Sequence, residues 1–178
     1  MLISQSVSRF LPPDAIEDLL CPVVIPPTIF GPLAPNYPLP KDRGGLSTIE
    51  FVYELITGPN TYPHVPLGHM IDVRDVAKAH IMSLSVPPLK NRDKRFLIAS
   101  RVFTWKETAE LFGRERPEIA SRLPGEGEVP PVQNNAPYDT SLTEEVLGFK
   151  ADMYIPWEKT MLDSIDEALR WERQDKQN

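Results

Sequence analysis

Apolar positions along the chain alternate between short β-branched runs and longer stretches with helical spacing. The short runs predict three strands, at Val23–Ile25, Met70–Val73 and Lys94–Ser100, because turn-forming residues bound each of them. Apolar residues three and four positions apart predict helices around these strands. The helices are expected at residues 14–20, 46–56, 75–86, 104–112, 141–147 and 157–174. Strands that alternate with helices predict an α/β fold with parallel strands.

Capping residues mark several of the predicted helix starts. Ser47 with Glu50, and Thr104 with Glu107, have the spacing of capping boxes, in which each side chain bonds the other residue's backbone amide. Asp75 is predicted to cap the helix that follows the second strand.

The remaining helix ends and faces are also readable from the pattern. Gly148 is predicted to end the helix at 141–147, and residues 113–137 to form a surface loop, because they lack periodicity. The apolar face of the helix after the second strand is expected to comprise Val76, Ala79, His80, Ile81 and Met82. The apolar face of the last helix is expected to comprise Trp157, Met161, Ile165 and Leu169.

Composition narrows the class of protein. The chain has 178 residues and a net charge of −6 without a Lys/Arg-rich run, so nucleic acid and membrane surfaces are not expected partners. The N-terminus lacks a secretory signal pattern. A single cysteine, Cys21, lies among apolar neighbours and is expected to be a buried, inert thiol in a reducing compartment. We therefore expect a cytoplasmic protein.

Tyr37 and Lys41 are four positions apart, which is the spacing of the tyrosine and lysine that donate the proton in carbonyl reductases. The pair works when both side chains share one helical face, where the ammonium lowers the phenol pKa. Pro38 and Pro40 lie between them, and proline is incompatible with a helix interior. We therefore predict no catalytic residue here. The three histidines have no metal-ligand spacing, and no metal site is predicted.

Three segments, taken in order, resemble a known family. They are PPTIFGP at Pro26–Pro32, IDVRDVAKAH at Ile71–His80, and LGFK followed by WEKT between Leu147 and Thr160. This order resembles the C-terminal, substrate-side half of an extended short-chain dehydrogenase/reductase. The branch is that of dihydroflavonol, cinnamoyl-CoA and methylglyoxal reductases. The resemblance implies an α/β fold that is part of a Rossmann-like NAD(P)-binding domain, with few parallel strands and flanking helices.

The resemblance also implies site residues. Pro26, Thr28 and Ile29 match the segment that lines the nicotinamide of NADP or NAD through main-chain groups. His69, with Met70 beside it, matches a position that faces a small carbonyl substrate. Asp72, Arg74 and Asp75 are interpreted as structural, namely a helix cap with a local ion pair.

The sequence departs from the family pattern upstream of Val23, where neither the glycine fingerprint nor the Tyr-x-x-x-Lys pair is found. We therefore expect an atypical segment at residues 1–20, a partial cofactor and substrate lobe at 21–172, and a tail at 173–178. The expected function is that of a truncated NAD(P)-dependent oxidoreductase acting on an aldehyde or ketone, inactive alone.

Other interpretations stay open at this point. A non-catalytic module is one, because an exposed strand edge favours self-association or pairing with another chain. A fragment of a nucleotide-sugar epimerase/dehydratase or of a steroid dehydrogenase is another, since one fold serves many substrates. A gene-model artefact without independent function is the third.

Overall fold

The computed structural model describes residues 21–57, 62–63, 68–90, 92–125, 129 and 137–176. The helix predicted at residues 14–20 lies outside this range. The strands are β1 (Val23–Ile25), β2 (Thr28–Phe30), β3 (His69–Asp72), β4 (Arg95–Leu97) and β5 (Arg101–Val102). The helices are α1 (Ile49–Glu54), α2 (Val73–Ser83), α3 (Trp105–Glu115), α4 (Ser141–Leu147) and α5 (Trp157–Asp175).

The strands form two small sheets. β1 pairs in parallel with β4, and β2 pairs in parallel with β3, with Thr28 opposite Met70. β3 also pairs with β5, but antiparallel, so the prediction of parallel strands holds for two of the three pairings described. β2 was not predicted as a separate strand. Pro26 and Pro27 interrupt the pairing because proline donates no hydrogen bond, yet the chain resumes an extended course at Thr28.

Two hydrophobic clusters lie on opposite faces of β3. Successive side chains of a strand point to opposite sides, so Met70 belongs to one cluster and Ile71 to the other. In the larger cluster, the rings of Phe30, Phe103 and Trp105 meet edge to face at centroid distances of 5.5–6.3 Å, a favoured aromatic geometry. The smaller cluster is built from Ile71, Phe96, Ile98, Phe149 and Tyr154, with Ala79 and Leu147. β3 therefore lies at the centre of the fold.

The predicted capping interactions are confirmed at two helix ends and corrected at two others. The Thr104–Glu107 capping box is present at α3, and Gly148 ends α4 with a φ of 65°. The cap of α2 is Asp72, whose side chain accepts from the Arg74 amide, and not Asp75. β3 ends at Asp72, one residue earlier than predicted, so α2 and its cap also begin earlier in the sequence.

The second correction concerns the start of α1. Ser47 does not cap this helix; Thr48 occupies the cap position, without a side-chain capping bond. Ser47 instead has a φ of 54°, which lies outside the region that a capping residue adopts.

Three further expectations are wrong. Cys21 is exposed, because apolar neighbours in sequence do not by themselves bury a residue. His80 and Ile81 were predicted on the apolar face of α2, but both are exposed, Ile81 to 69%. The predicted apolar face of α5, in contrast, is buried. The segment 113–137 is not wholly a loop, since α3 continues to Glu115 and a 3₁₀ turn follows at Pro117–Arg122. None of the helices described here has the length and apolar character that crossing a membrane would require.

Candidate functional site

A cleft of about 500 Å³ lies where β2 ends and α2 begins. In open α/β sheets, ligands bind at the carboxyl ends of parallel strands, and β2 and β3 form such a pair. Among the residues that the structure describes, no charged side chain contributes to the cleft wall. The wall is formed by Pro27, Thr28, Ile29, Phe30, Gly31, Pro32, Leu33, Leu46, Ser47, Thr48, Ile49 and Val73.

Gly31 allows the chain to leave β2 close to the start of α2. Its φ of +134° is a conformation that side chains with a Cβ rarely adopt. A Cβ built there would lie 2.8 Å from Cγ1 of Val73. The Gly31 amide donates to Oγ of Ser164 at 3.0 Å, and that hydroxyl donates to the Thr160 carbonyl at 2.8 Å. Helix α5 therefore fixes this part of the cleft wall.

A second hydroxyl holds the same wall from the other side. Oγ1 of Thr48 donates to the Ile29 carbonyl at 2.6 Å. Ser47, the preceding residue, has φ 54° and ψ −129°, and a residue other than glycine with positive φ is uncommon and costs free energy. The strained residue and the bonded hydroxyl both lie in the cleft wall.

The buried carboxylate of Asp72 lies at the end of β3, immediately before the cleft residue Val73. Asp72 accepts from Nε and Nη2 of Arg74 at 2.9 and 2.7 Å, and from Oγ1 of Thr160 at 2.7 Å. Burial alone would raise the pKa of Asp72, but the hydrogen bonds from Arg74 and Thr160 outweigh it and lower that pKa. Arg74 also contacts Asp163 at 2.7 Å. Asp72 and Arg74 thus form the predicted local ion pair, and Asp72 takes the capping role that was predicted for Asp75.

Asp75 has a different environment one turn into α2. Its Oδ2 accepts from the Ile155 amide at 2.8 Å, and the side chain is buried. Burial raises the pKa of Asp75, and the backbone hydrogen bond from Ile155 only partly opposes this effect. Asp75 therefore joins α2 to the turn before α5.

The structure brings some of the predicted site residues together and not others. Thr28 and Ile29 form part of the cleft wall, and Pro26 immediately precedes it, beside Pro27. Met70 lies opposite Thr28 across the strand pair but is fully buried in the larger cluster. His69 packs on the ring of Tyr138, with centroids 4.7 Å apart. Neither His69 nor Met70 belongs to the cleft wall.

Tyr37 is placed as the two prolines predict. It lies in a turn closed by a hydrogen bond from its amide to the Ala34 carbonyl at 2.9 Å, and its side chain is 61% exposed. Neither Tyr37 nor Lys41 belongs to a helix. The prediction that these two residues do not share a helical face is confirmed.

The sequence analysis missed Ser47, Thr48 and Ser164 as residues of this region. Ser47 carried a signal, but the signal was interpreted as a helix cap. Ser164 lies 133 residues from Gly31 and carries no local signal that relates it to the cleft.

Comparison with known proteins finds a reductase among the relatives of this chain. A Candida albicans protein named as an NADPH-dependent methylglyoxal reductase is 30% identical over 158 residues, which are 83% of this chain and 42% of that protein. The chain therefore spans less than half the length of this relative. No protein-family model matches the chain.

Solved structures give the same fold. The NADPH complex of Gre2 from Candida albicans is 23% identical, with a TM-score of 0.63 over 83% of this chain and 43% of that one. Vestitone reductase from alfalfa is 22% identical, with a TM-score of 0.53 over 84% of this chain and 44% of that one.

These relatives confirm both the expected fold class and the expected link to NADPH-dependent reductases. The coverage of about two fifths agrees with a partial, C-terminal match. The resemblance to part of the extended short-chain dehydrogenase/reductases is therefore confirmed: the chain is similar in sequence to a methylglyoxal reductase and shares its fold with Gre2 and vestitone reductase.

Proposed function

We propose that this chain forms the nicotinamide-end wall and part of the substrate lobe of an NADPH-dependent carbonyl reductase. The observation that carries the proposal is the uncharged cleft at the carboxyl end of β2, which contains Thr28 and Ile29. When bound, the cofactor supplies hydride to an aldehyde or ketone. The main chain of Pro26, Thr28 and Ile29 contacts the carboxamide of the nicotinamide in this proposal.

In the same proposal, His69 and Met70 lie on the substrate side of the site. His69 is half-buried against Tyr138, and Met70 packs behind it in the core. Met70 therefore supports the position of β3, while His69 offers the ring that meets the substrate. The chain acts in the cytoplasm, with residues 21–172 as its folded lobe. Helix α5 extends that lobe to Asp175.

The character of the cleft favours a carbonyl reductase over a nucleotide-sugar enzyme. A sugar nucleotide carries a diphosphate, which proteins bind with Arg, Lys or clustered backbone amides. The described residues of the cleft wall offer hydroxyls and apolar groups, and none of them is Arg or Lys. A neutral nicotinamide ring and a small uncharged carbonyl compound fit such a lining.

The chain does not carry out the reaction alone in this proposal. Among the five tyrosines, only Tyr37 has a lysine four positions later, and that tyrosine lies in an exposed turn. With methylglyoxal as substrate, the purified chain is expected to cause no NADPH oxidation above the uncatalysed rate. Oxidation that persists in Tyr37→Phe would mean that a different proton donor had been overlooked.

Cofactor contact is tested without turnover, by NMR titration of the ¹⁵N-labelled chain with NADPH at millimolar concentrations. We expect the amide resonances of Thr28, Ile29 and Gly31 to shift. Val73→Trp places a large ring in the cleft wall and should abolish the shifts. Ala77→Trp lies one turn further along α2, outside the wall, and should preserve them. Equal shifts in both variants, or none in the wild type, would refute the proposal.

A second candidate function is self-association through β1, and one observation favours it. In the part of the chain that the structure describes, β1 pairs only with β4, and Val23 is 44% exposed. Parallel strands are usually buried on both faces, and an open edge invites pairing. The partner is a second copy, because an edge strand pairs with itself in a two-fold arrangement. Sedimentation of a monomer at tens of micromolar would exclude this function.

A further inference from the structure

Two side-chain hydroxyls hold the backbone that forms the cleft wall, and they act on different atoms. Thr48 donates to the Ile29 carbonyl at 2.6 Å from the α1 side. Ser164 accepts from the Gly31 amide at 3.0 Å from the α5 side. The two peptide groups lie on either side of Phe30, whose ring is fixed in the aromatic core. The wall is therefore held at three successive residues.

The Thr48 bond is not explained by helix capping. Thr48 occupies the cap position of α1 but makes no side-chain capping bond, although a threonine there usually bonds an amide of the first turn. Its hydroxyl reaches across 19 residues of sequence to Ile29 instead. The preceding Ser47 has φ 54°, a conformation that costs free energy and that marks functional sites elsewhere.

We infer that Thr48 is a positioning residue for the ligand of this cleft. The inference rests on the proposed function, since it concerns the same wall. The hydroxyl sets the orientation of the Ile29 peptide, and that peptide is among the main-chain groups proposed to meet the nicotinamide carboxamide. The strained turn at Ser47 is the local cost of presenting Thr48 to Ile29.

Thr48 is a better test of this idea than Ser164. Removing the Ser164 hydroxyl would leave the buried Gly31 amide without its acceptor, and an unsatisfied buried donor destabilises the whole fold. The bond from Thr48 to the Ile29 carbonyl is only partly buried, so we expect solvent to replace the hydroxyl as the partner of this carbonyl in a variant that lacks it. Thr48→Val is therefore expected to fold, with the shape of the side chain retained.

The experiment compares Thr48→Val, Thr48→Ser and a control. The control is Thr57→Val, which removes a similar bond, from the Thr57 hydroxyl to the Glu54 carbonyl at 3.0 Å, outside the cleft. The ¹³C resonance of the Ile29 carbonyl reports the bond in the absence of ligand. We expect it to shift in Thr48→Val, and to remain at the wild-type position in Thr48→Ser and Thr57→Val.

NADPH titration then gives the ligand effect. Losing one hydrogen bond that orients the wall should weaken NADPH binding by about three- to tenfold in Thr48→Val, and the other two variants should bind as the wild type does. Wild-type affinity in Thr48→Val would overturn the positioning role and leave the proposed function intact. Absence of NADPH-dependent shifts in the wild type would instead overturn the proposed function, and the ligand role of Thr48 with it. An unchanged Ile29 resonance in Thr48→Val would show that the bond itself is absent.

Discussion

Replacement of Asp72 by alanine should destabilise the chain more than replacement of any exposed charge. The carboxylate accepts from the Arg74 amide at 2.8 Å, from the Arg74 guanidinium, and from Oγ1 of Thr160. It therefore caps α2, forms an ion pair and satisfies a fully buried hydroxyl on α5. No other carboxylate described in the structure joins β3, α2 and α5 in this way.

The size of the effect follows from these three roles. Loss of a helix cap costs about 1 kcal/mol. The buried Thr160 hydroxyl loses its acceptor at 2.7 Å and keeps only the longer contact to the Pro156 carbonyl at 3.3 Å, which costs about 1 kcal/mol. The Arg74 side chain is 37% exposed, so its pairing with Asp72 is screened by solvent and contributes at most about 1 kcal/mol. We expect Asp72→Ala to lower the free energy of unfolding by about 3 kcal/mol in total.

Urea denaturation followed by circular dichroism measures this loss. Asp163→Ala is the matched control, because Asp163 contacts the same Arg74 but is 22% exposed and bonds no buried group that is described. Its removal should cost under about 1 kcal/mol. If Asp72→Ala and Asp163→Ala lost the same amount, the assigned role of the buried carboxylate would be wrong.

The pH dependence gives an independent check on Asp72. Its pKa is lowered in the folded state, so its contribution to stability is present above the pKa of an unfolded aspartate and is lost as the pH falls through the lower, folded value. The difference in unfolding free energy between wild type and Asp72→Asn should therefore shrink on acidification from neutral pH. A difference that is constant over that range would contradict the ion-pair assignment.

Three more predictions concern Asp75, Thr104 and Gly31. Asp75→Asn should raise the melting temperature at pH 7, because burial raises the pKa of Asp75 and a group with a raised folded pKa loses its stabilising effect as the pH rises. The gain in melting temperature should vanish in acid, and a gain that persists there would contradict this cause. Thr104→Ala should cost about 1 kcal/mol in urea denaturation through loss of its capping box, whereas Thr140→Ala, at a helix start without a side-chain cap, should cost clearly less. Gly31→Ala should cost about 1–3 kcal/mol through its φ of +134°, and a neutral effect would indicate that the turn relaxes.

Local signals in the sequence were sufficient for several elements. Thr104 and Glu107 bond each other as their spacing predicts, and Gly148 ends α4 in the left-handed conformation that glycine favours. The buried face of α5 follows its apolar periodicity. The two capping interactions lie within one turn of the residues concerned, and the buried face of α5 follows a regular spacing of apolar residues, so the sequence alone contains the information.

Other features depend on distant contacts, and these were missed or misplaced. β2 forms because β3 lies beside it, and the two prolines before Thr28 conceal that pairing from a local reading. Asp72 and Asp75 are three residues apart and both suit a helix cap. Only the position of Thr160 on α5 makes Asp72 the buried acceptor.

The candidate site shows the same division between local and distant information. Family resemblance pointed to Thr28 and Ile29, and both belong to the wall of the cleft; their contact with a cofactor stays a prediction. Ser164 and Thr48 had no such signal. Their roles exist only once helices α5 and α1 lie against the strand, at 133 and 19 residues from their partners.

The chain spans about two fifths of the length of its reductase relatives. These distant contacts indicate which part of the site such a chain forms by itself. The atoms that hold the cleft wall, on Thr48, Ser164 and the Asp72–Thr160 pair, all belong to the chain itself. Both the hydrogen-bonding partners of the wall and its aromatic support at Phe30 therefore lie within the part of the chain that the structure describes. If the proposed function is right, binding at the nicotinamide end and chemical turnover are expected to separate. Binding would use this wall, whereas turnover would need a proton donor on a helical face, and Tyr37 lies in an exposed turn instead.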